Sequence, residues 1–187
     1  MCSRYRLLDA ADIQPRDVYP SQLAPVQTRD GVRDMRWGFA GRTGKGLLIN
    51  ARAETAADKP TFSTALQQTR CVIAAAAFYE WNAQKRAFLF ENAAEDTPLY
   101  LAGLYTQDTG GQERFVILTR EANDTVSPVH PRMPCLLPNV EYCHAWLHAD
   151  ALAKDLLTMP VQVQLKCTNP EKIRFMSFAI INYILLF

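Results

Sequence analysis

Residues 70–81 read RCVIAAAAFYEW, a run that is apolar from Cys71 to Tyr79 and ends in Glu80 and Trp81. A short apolar run with Val, Ile and aromatic residues is typical of a buried β-strand. Other short segments, rich in β-branched and aromatic residues and separated by polar or Gly-containing breaks, lie at 35–39, 46–53, 86–91, 99–107 and 114–119. Together they predict a mainly antiparallel sheet.

Two segments have helical spacing instead. The segment 59–70 carries Pro60 near its start and predicts a short helix. A longer apolar stripe runs over 140–159 and stops before Pro160, which predicts one long helix. Because helices follow or interrupt the strands without regular alternation, we expect an α+β fold: a mainly antiparallel, barrel-like core with a few flanking helices in a single domain.

Composition narrows the function classes. The chain has 187 residues, 49% hydrophobic and 21% charged, so it can bury a real core and is not intrinsically disordered. Its net charge of +1 argues against holding nucleic acid by bulk charge alone. Residues 1–52, however, carry nine basic and five acidic side chains. An anion-binding surface is therefore expected from the N-terminal third.

Cysteine usage and the chain ends indicate the compartment. The five cysteines have no C-x-x-C spacing, so neither a disulfide framework nor a zinc cage is expected. The first 15 residues lack the apolar core of a secretory signal, and the apolar segment 173–187 is shorter than the ~20 residues that span a bilayer. We expect a cytoplasmic protein without a membrane partner.

Cys2 could carry unusual chemistry. Initiator methionine is readily removed before a small side chain, which would leave Cys2 with both a free α-amine (pKa ~7.7–8.0) and a thiol (pKa ~8.5). Such a pair can capture an aldehyde, because the amine forms a Schiff base and the thiol then closes a five-membered thiazolidine ring. The alternative is that Cys2 is a small apolar residue on a frayed end.

Polar residues in two segments could form a site around such a nucleophile. By strand alternation, the sequence GLLINARAET at 46–55 places Asn50, Arg52 and Glu54 on one face of an extended segment. Three polar groups on one strand face form either a functional site or a solvated surface. Glu80 stands among apolar and aromatic residues, where desolvation would raise its pKa and suit it to proton transfer. The alternative for Glu80 is an exposed charge or an arginine partner.

His130 lies in the segment SPVHPRMPCLLP at 127–138. Pro128 and Pro131 restrict the backbone on both sides, so His130 is expected on a stiff loop of the kind that often carries catalytic groups. The alternative is an ordinary surface histidine. Cys143, His144 and His148 could be metal ligands on the predicted long helix, but an amphipathic helix face is favoured there.

Five blocks in order, MCSRYR, MRWGFAG, LLINARAET, RCVIAAAAFYEW and VHPRMP, resemble the SRAP family, the SOS-response-associated peptidase domain proteins that cross-link to abasic sites in single-stranded DNA. The resemblance extends from residue 2 to about residue 160, which defines the expected domain. Residues 161–187 form a divergent apolar segment with no assigned role. Ser3 and Pro131 depart from the family pattern, where glycine and a polar residue are usual.

The resemblance implies a catalytic set of Cys2, Asn50, Glu80 and His130. It also implies a DNA-binding set of Arg4, Trp37, Arg52, Thr119 and Arg132, with Trp37 stacking on a base. The implied activity is capture of abasic sites in single-stranded DNA as a thiazolidine through Cys2, by a monomer without cofactor or metal. Such a protein would be associated with the nucleoid if bacterial. His130 would help open the sugar ring, Glu80 would move protons and Asn50 would hold the Cys2 terminus.

Two other functions stay open. A Cys, His, Glu and Asn set could serve as an N-terminal-nucleophile cysteine peptidase or amidase, with His130 as base. A non-catalytic single-stranded-DNA-binding module could use Trp37 and the N-terminal arginines. Peptide hydrolysis that is lost in Cys2→Ala would favour the first, and equal affinity for intact and abasic strands without a covalent product would favour the second.

Overall fold

The computed structural model describes residues 2–8, 16–41 and 46–169. Within these ranges the chain forms fourteen strands and four helices. The strands are β1 Tyr5–Leu7, β2 Asp17–Val18, β3 Leu23–Thr28, β4 Gly31–Trp37, β5 Phe39–Ala40, β6 Leu47–Leu48, β7 Asn50–Arg52, β8 Arg70–Trp81, β9 Ala87–Asn92, β10 Leu99–Gln107, β11 Glu113–Glu121, β12 Arg132–Pro134, β13 Leu136–Leu137 and β14 Leu165–Thr168. The helices are α1 Ala53–Ala56, α2 Pro60–Gln68, α3 Val140–His148 and α4 Ala153–Thr158.

Five strands close on themselves in the order β10, β11, β4, β3 and β8, because β8 pairs again with β10. These pairings are antiparallel except for β11 with β4, which is parallel. The predicted strand at 71–81 is therefore the longest strand of this barrel. The prediction of an α+β fold with a barrel-like core and flanking helices is confirmed.

Aromatic rings fill one end of the barrel. Trp37 is fully buried, lies parallel to Phe115 with ring centroids 6.1 Å apart, and meets Tyr5 edge-on at 5.2 Å. Its indole N–H donates to the carbonyl of Ile49 at 2.9 Å, so the buried polar atom is satisfied. Burial of an aromatic side chain of this size is worth about 4–6 kcal/mol in transfer free energy.

The predicted helix over 140–159 is wrong in one respect: the structure has α3 and α4 with a break between them. Two arginines from the sheet take the carbonyls at the end of α3. Arg70 Nε donates to the carbonyl of Trp146 at 2.5 Å, and Arg29 Nε donates to that of Leu147 at 3.1 Å. In a continuous helix these oxygens would accept from residues 150 and 151, so the helix ends here.

The segment 46–53 also differs in detail. Strand alternation holds for Asn50 and Arg52, but the chain turns into α1 at Ala53, and Glu54 lies on this helix. Glu54 is therefore not part of the same strand face. The short helix predicted at 59–70 is confirmed as α2.

The sheet continues beyond residue 160. β14 pairs with β9, with Cys167 opposite Phe90, and Leu165 is buried in the main core. The apolar segment 173–187 lies outside the described residues. In the ranges that the structure describes, no helix is both long and apolar enough to cross a membrane.

Candidate active site

Strand pairing brings the start of the chain to Glu80. Tyr5 in β1 lies opposite Phe78 in β8, and the Tyr79 N–H donates to the Arg4 carbonyl at 3.0 Å. Cys2 precedes this paired region and is fully buried, and its thiol donates to the Arg4 carbonyl at a sulfur–oxygen distance of 3.6 Å. Cys2 is thus a fixed residue of the core and not a frayed end.

Asn50 holds the main chain of Cys2. Its Nδ2 donates to the Cys2 carbonyl at 2.7 Å. β7 runs parallel to β11, with Asn50 opposite Ile117, so Asn50 enters the site from a central strand. Within the described residues, its Oδ1 is buried and accepts no hydrogen bond. This amide therefore has an acceptor available for a polar group in the site.

Glu80 and His130 meet beside Cys2. Oε2 of Glu80 lies 3.7 Å from Nδ1 of His130. Glu80 is fully buried, and this burial raises its pKa to about 7. A carboxyl that titrates near neutral pH can both accept and return a proton, as a general acid–base catalyst must.

The loop before β12 orients His130. The main-chain N–H of His130 donates to the Val126 carbonyl at 3.0 Å, and its ring nitrogen Nδ1 accepts from the main-chain N–H of Arg132 at 3.0 Å. Partial burial lowers the pKa of His130, so the ring is neutral at pH 7. Nδ1 also lies 3.0 Å from the Arg132 carbonyl oxygen, so the main chain of Arg132 holds this ring nitrogen.

The thiol of Cys2 is not poised as a thiolate. Burial raises its pKa, and the neighbouring Glu80 carboxylate raises it further. The sulfur is therefore protonated at neutral pH. The sequence suggested a reactive thiolate fraction, and the difference arises because Cys2 is enclosed and not solvated at a chain end.

Arg4 lies among aromatic rings. Its guanidinium carbon lies 3.7 Å from the ring centroid of Tyr79 and 5.3 Å from that of Trp81. Nη1 donates to the Tyr19 hydroxyl at 3.2 Å, and Nε lies 3.8 Å from the Asp17 carboxylate. This basic and aromatic surface adjoins Glu80 through its two neighbours in β8.

The structure places Trp37, predicted as a stacking residue, inside the barrel. Its indole is fully buried and stacked inside the barrel, so no face is free to stack on a base. Trp81, which the sequence reasoning did not single out as a stacking residue, is partly exposed. The sequence feature that could have identified Trp81 is its position directly after Glu80, at the end of β8.

The other predicted DNA-binding residues are placed unevenly. Arg52 is exposed on β7. Thr119 is fully buried, and its hydroxyl donates to the Ala51 carbonyl at 3.4 Å. Arg132 is mostly buried and bonded to Glu54. Arg52 is therefore open to solvent, whereas Thr119 and Arg132 belong to the wall of the site.

The alternative metal ligands do not converge. His144 and His148 stack with ring centroids 4.4 Å apart on an exposed face of α3, but Cys143 is buried on the opposite side. Across the described part of the chain, no group of three or more His, Cys, Asp or Glu side chains could hold a metal ion.

Comparisons with known proteins identify the family of the chain. The family model "SOS response associated peptidase (SRAP)" matches residues 1–172. The abasic site processing protein YoaM of Bacillus subtilis is 30% identical over 190 residues, covering 84% of this chain and 83% of the relative. The abasic site processing protein YedK of Escherichia coli is 30% identical over 125 residues, covering 64% of this chain and 56% of the relative.

Solved structures share the fold. A crystal structure of a protein from Bordetella bronchiseptica superposes with a TM-score of 0.75 at 25% identity, covering 89% of this chain and 98% of that protein. A protein from Bacteroides thetaiotaomicron superposes with a TM-score of 0.69 at 22% identity, over 84% and 79% of the two chains. The second similarity concerns the fold alone.

Proposed function

Because this chain belongs to the SOS response associated peptidase (SRAP) family, we propose that it recognises abasic sites in single-stranded DNA and binds them covalently through Cys2. The observation that carries the proposal is the convergence of Asn50, Glu80 and His130 on the buried Cys2. Relatives over most of this chain's length carry the name abasic site processing protein. The proposal requires that Met1 be removed, so that Cys2 bears the amino terminus.

The reaction begins with ring opening. An abasic deoxyribose is mostly a cyclic hemiacetal, and opening it yields the C1′ aldehyde when a proton is supplied to the ring oxygen. His130 is the proposed donor: its neutral ring accepts the proton of the C1′ hydroxyl, and the imidazolium so formed donates a proton to the ring oxygen. Its partly exposed ring can reach a sugar that enters from solvent.

Imine formation follows at the amino terminus. The Cys2 nitrogen attacks C1′, and Glu80 carries the two protons of that nitrogen to the C1′ oxygen in turn: the first transfer gives the carbinolamine, and the second lets the oxygen leave as water and forms the imine. A pKa near 7 lets Glu80 serve in both directions. Asn50 fixes the nucleophile by its bond to the Cys2 carbonyl, and its unused Oδ1 can accept from the new amine.

Ring closure uses the thiol. The Cys2 sulfur adds to the imine carbon, its proton passes through Glu80 to the imine nitrogen, and a thiazolidine results with no change of oxidation state. A protonated thiol suits this order, because the sulfur stays unreactive until the amine has formed the imine. The Glu80 carboxylate is the nearby base that can take the thiol proton.

DNA contacts would surround this pocket. We assign the stacking face to Trp81 in place of Trp37, because Trp81 is partly exposed and adjoins Glu80. Arg4 and Arg52 would contact flanking phosphates, while Thr119 lines the wall. These contacts read no base edge, so the protein should accept abasic sites in any single-stranded sequence. We expect it to act as a monomer, in the cytoplasm with the DNA.

The peptidase alternative fits the site less well. A cysteine peptidase needs a thiolate generated by a histidine base, whereas here burial raises the pKa of the thiol and lowers that of His130. A purely non-covalent DNA-binding module gives no reason to bury Cys2 beside Glu80 and His130.

The test uses a uracil-containing single strand, with and without prior removal of the uracil base. We expect a protein–DNA adduct that survives heat and denaturant only with the abasic strand, from protein whose mass shows loss of Met1. An adduct with the untreated strand, or its absence from protein that starts at Cys2, would overturn the proposal.

A further inference from the structure

An ion pair joins two elements of the wall of the site. Nη1 and Nη2 of Arg132 donate to the two carboxylate oxygens of Glu54 at 2.8 and 2.9 Å. Nη2 also donates to the carbonyl of Thr119 at 2.6 Å. Bidentate pairing of this kind fixes the plane of the guanidinium as well as its position.

This pair spans the two halves of the catalytic cluster. Glu54 lies in α1, directly after the strand β7 that carries Asn50. Arg132 begins β12, and its main-chain N–H donates to His130 Nδ1 at 3.0 Å. A displacement of Arg132 would therefore move the His130 ring with respect to Asn50 and Glu80.

Main-chain and side-chain bonds together hold this segment. β12 is only three residues long, and Pro134 contributes no N–H to its pairing with β11. The Ala122 N–H donates to the Pro131 carbonyl at 3.0 Å, and the main-chain N–H of His130 donates to the Val126 carbonyl at 3.0 Å. The side-chain bonds of Arg132 add to these and tie the segment to Glu54 in α1.

The ion pair between Glu54 and Arg132 also determines how much positive charge the wall of the site presents. The hydrogen bond from Arg132 lowers the pKa of Glu54, so the carboxylate is ionised at neutral pH and compensates the guanidinium. Three of the five guanidinium N–H groups are used by Glu54 and Thr119. Less of the Arg132 charge is thus available to DNA phosphates.

We propose that Glu54 is a positioning residue: by holding Arg132, it fixes His130 against Glu80 and limits the attraction of Arg132 for phosphate. The inference rests on the proposed function. It predicts an uncommon combination, in which loss of the Glu54 carboxylate slows the covalent step but strengthens non-covalent DNA binding.

The test is Glu54→Gln, which keeps the shape of the side chain. At saturating abasic DNA we expect the rate of adduct formation to fall about tenfold, since displacement of a catalytic group by ~1 Å costs up to ~10²-fold. Affinity for a lesion-free single strand should rise, and its dependence on log salt should steepen by about 0.7 as one phosphate contact is gained. A merely structural residue would weaken both properties.

Glu113→Gln is the matched control. Glu113 pairs with Arg33 at 2.9 Å at the other end of β11, and its loss changes the net charge by the same amount. Equal DNA affinity and equal adduct rates in the two variants would overturn the proposal.

A measurement without DNA separates this inference from the proposed function. The chain has three histidines. In Glu54→Gln the ring resonances of His130 should shift while those of His144 and His148 stay in place. If the wild-type protein forms no adduct, the proposed function fails, and these resonances still decide whether Glu54 positions His130. Unchanged His130 resonances would contradict it.

Discussion

Nδ1 of His130 lies 3.7 Å from Oε2 of Glu80, with the imidazole partly exposed and the carboxyl fully buried. The distance exceeds that of a direct hydrogen bond. Burial raises the pKa of the carboxyl to about 7 and lowers that of the imidazole. A protonated carboxyl and a neutral imidazole therefore coexist near neutral pH, so that Glu80 can donate a proton while His130 accepts one.

The first prediction concerns the nucleophile. Cys2→Ala should abolish the heat-stable adduct, because the thiazolidine needs the sulfur, while a transient imine from the amine can remain and be trapped by borohydride. The measurement is a denaturing gel after heating. Cys167→Ala is the control, since Cys167 is exposed on β14. Equal heat-stable adduct from Cys2→Ala and wild type would exclude the ring.

The second prediction concerns proton transfer. Glu80→Gln should slow adduct formation by about 10²-fold, a usual contribution of a general acid–base group. The wild-type rate should rise with pH through about 7 as the Glu80 carboxyl ionises, and this titration should vanish in the variant. Single-turnover rates from pH 5.5 to 8.5 measure it. An identical pH profile in both proteins would remove Glu80 from the mechanism.

The third prediction concerns stability. The folded protein keeps Glu80 protonated up to a pKa of about 7, whereas the unfolded chain releases that proton near pH 4.5. The folded state therefore binds the extra proton between these values, and its stability falls as pH rises through them. The expected loss is up to about 3 kcal/mol.

Glu80→Gln has no such titration, so it should be more stable than wild type at pH 8 and similar to it at pH 4.5. Urea unfolding at the two pH values measures the difference. Parallel pH dependence of the two proteins would show that the Glu80 environment is more polar than the structure implies.

The fourth prediction separates two tryptophans. Trp81→Ala should weaken binding to a single strand by about 1–3 kcal/mol with little change in unfolding free energy, because one stacked base is lost from a partly exposed ring. Trp37→Ala should instead destabilise the fold by about 3–5 kcal/mol, because it opens a cavity in the barrel. Fluorescence anisotropy with a labelled strand and urea unfolding measure the two effects, and reversed effects would restore Trp37 as the stacking residue.

Local patterns in the sequence predicted much of the fold. The apolar run at 70–81 predicted the central strand β8, and Pro60 predicted the start of α2. Very short strands such as β1 and β12 have too few residues to show alternation. They form because partners distant in the chain lie alongside them.

Long-range contacts explain what the sequence did not predict. The break between α3 and α4 depends on Arg29 and Arg70, which act across the fold on carbonyls that any helix would carry. The pairing of Glu54 with Arg132 likewise joins residues far apart in the chain. Trp37 and Trp81 both end strands, and only the closure of the barrel decides which one is enclosed.

The pairing of β14 with β9 has a practical consequence for truncated versions of the protein. Among the described residues, β9 bonds on one side to the strand that carries Glu80 and on the other to β14. A chain cut after residue 160 would leave the outer row of amides and carbonyls on β9 without partners, and such a bare sheet edge recruits strands from other molecules. Shortened versions should therefore aggregate, even though every residue of the proposed chemistry is retained.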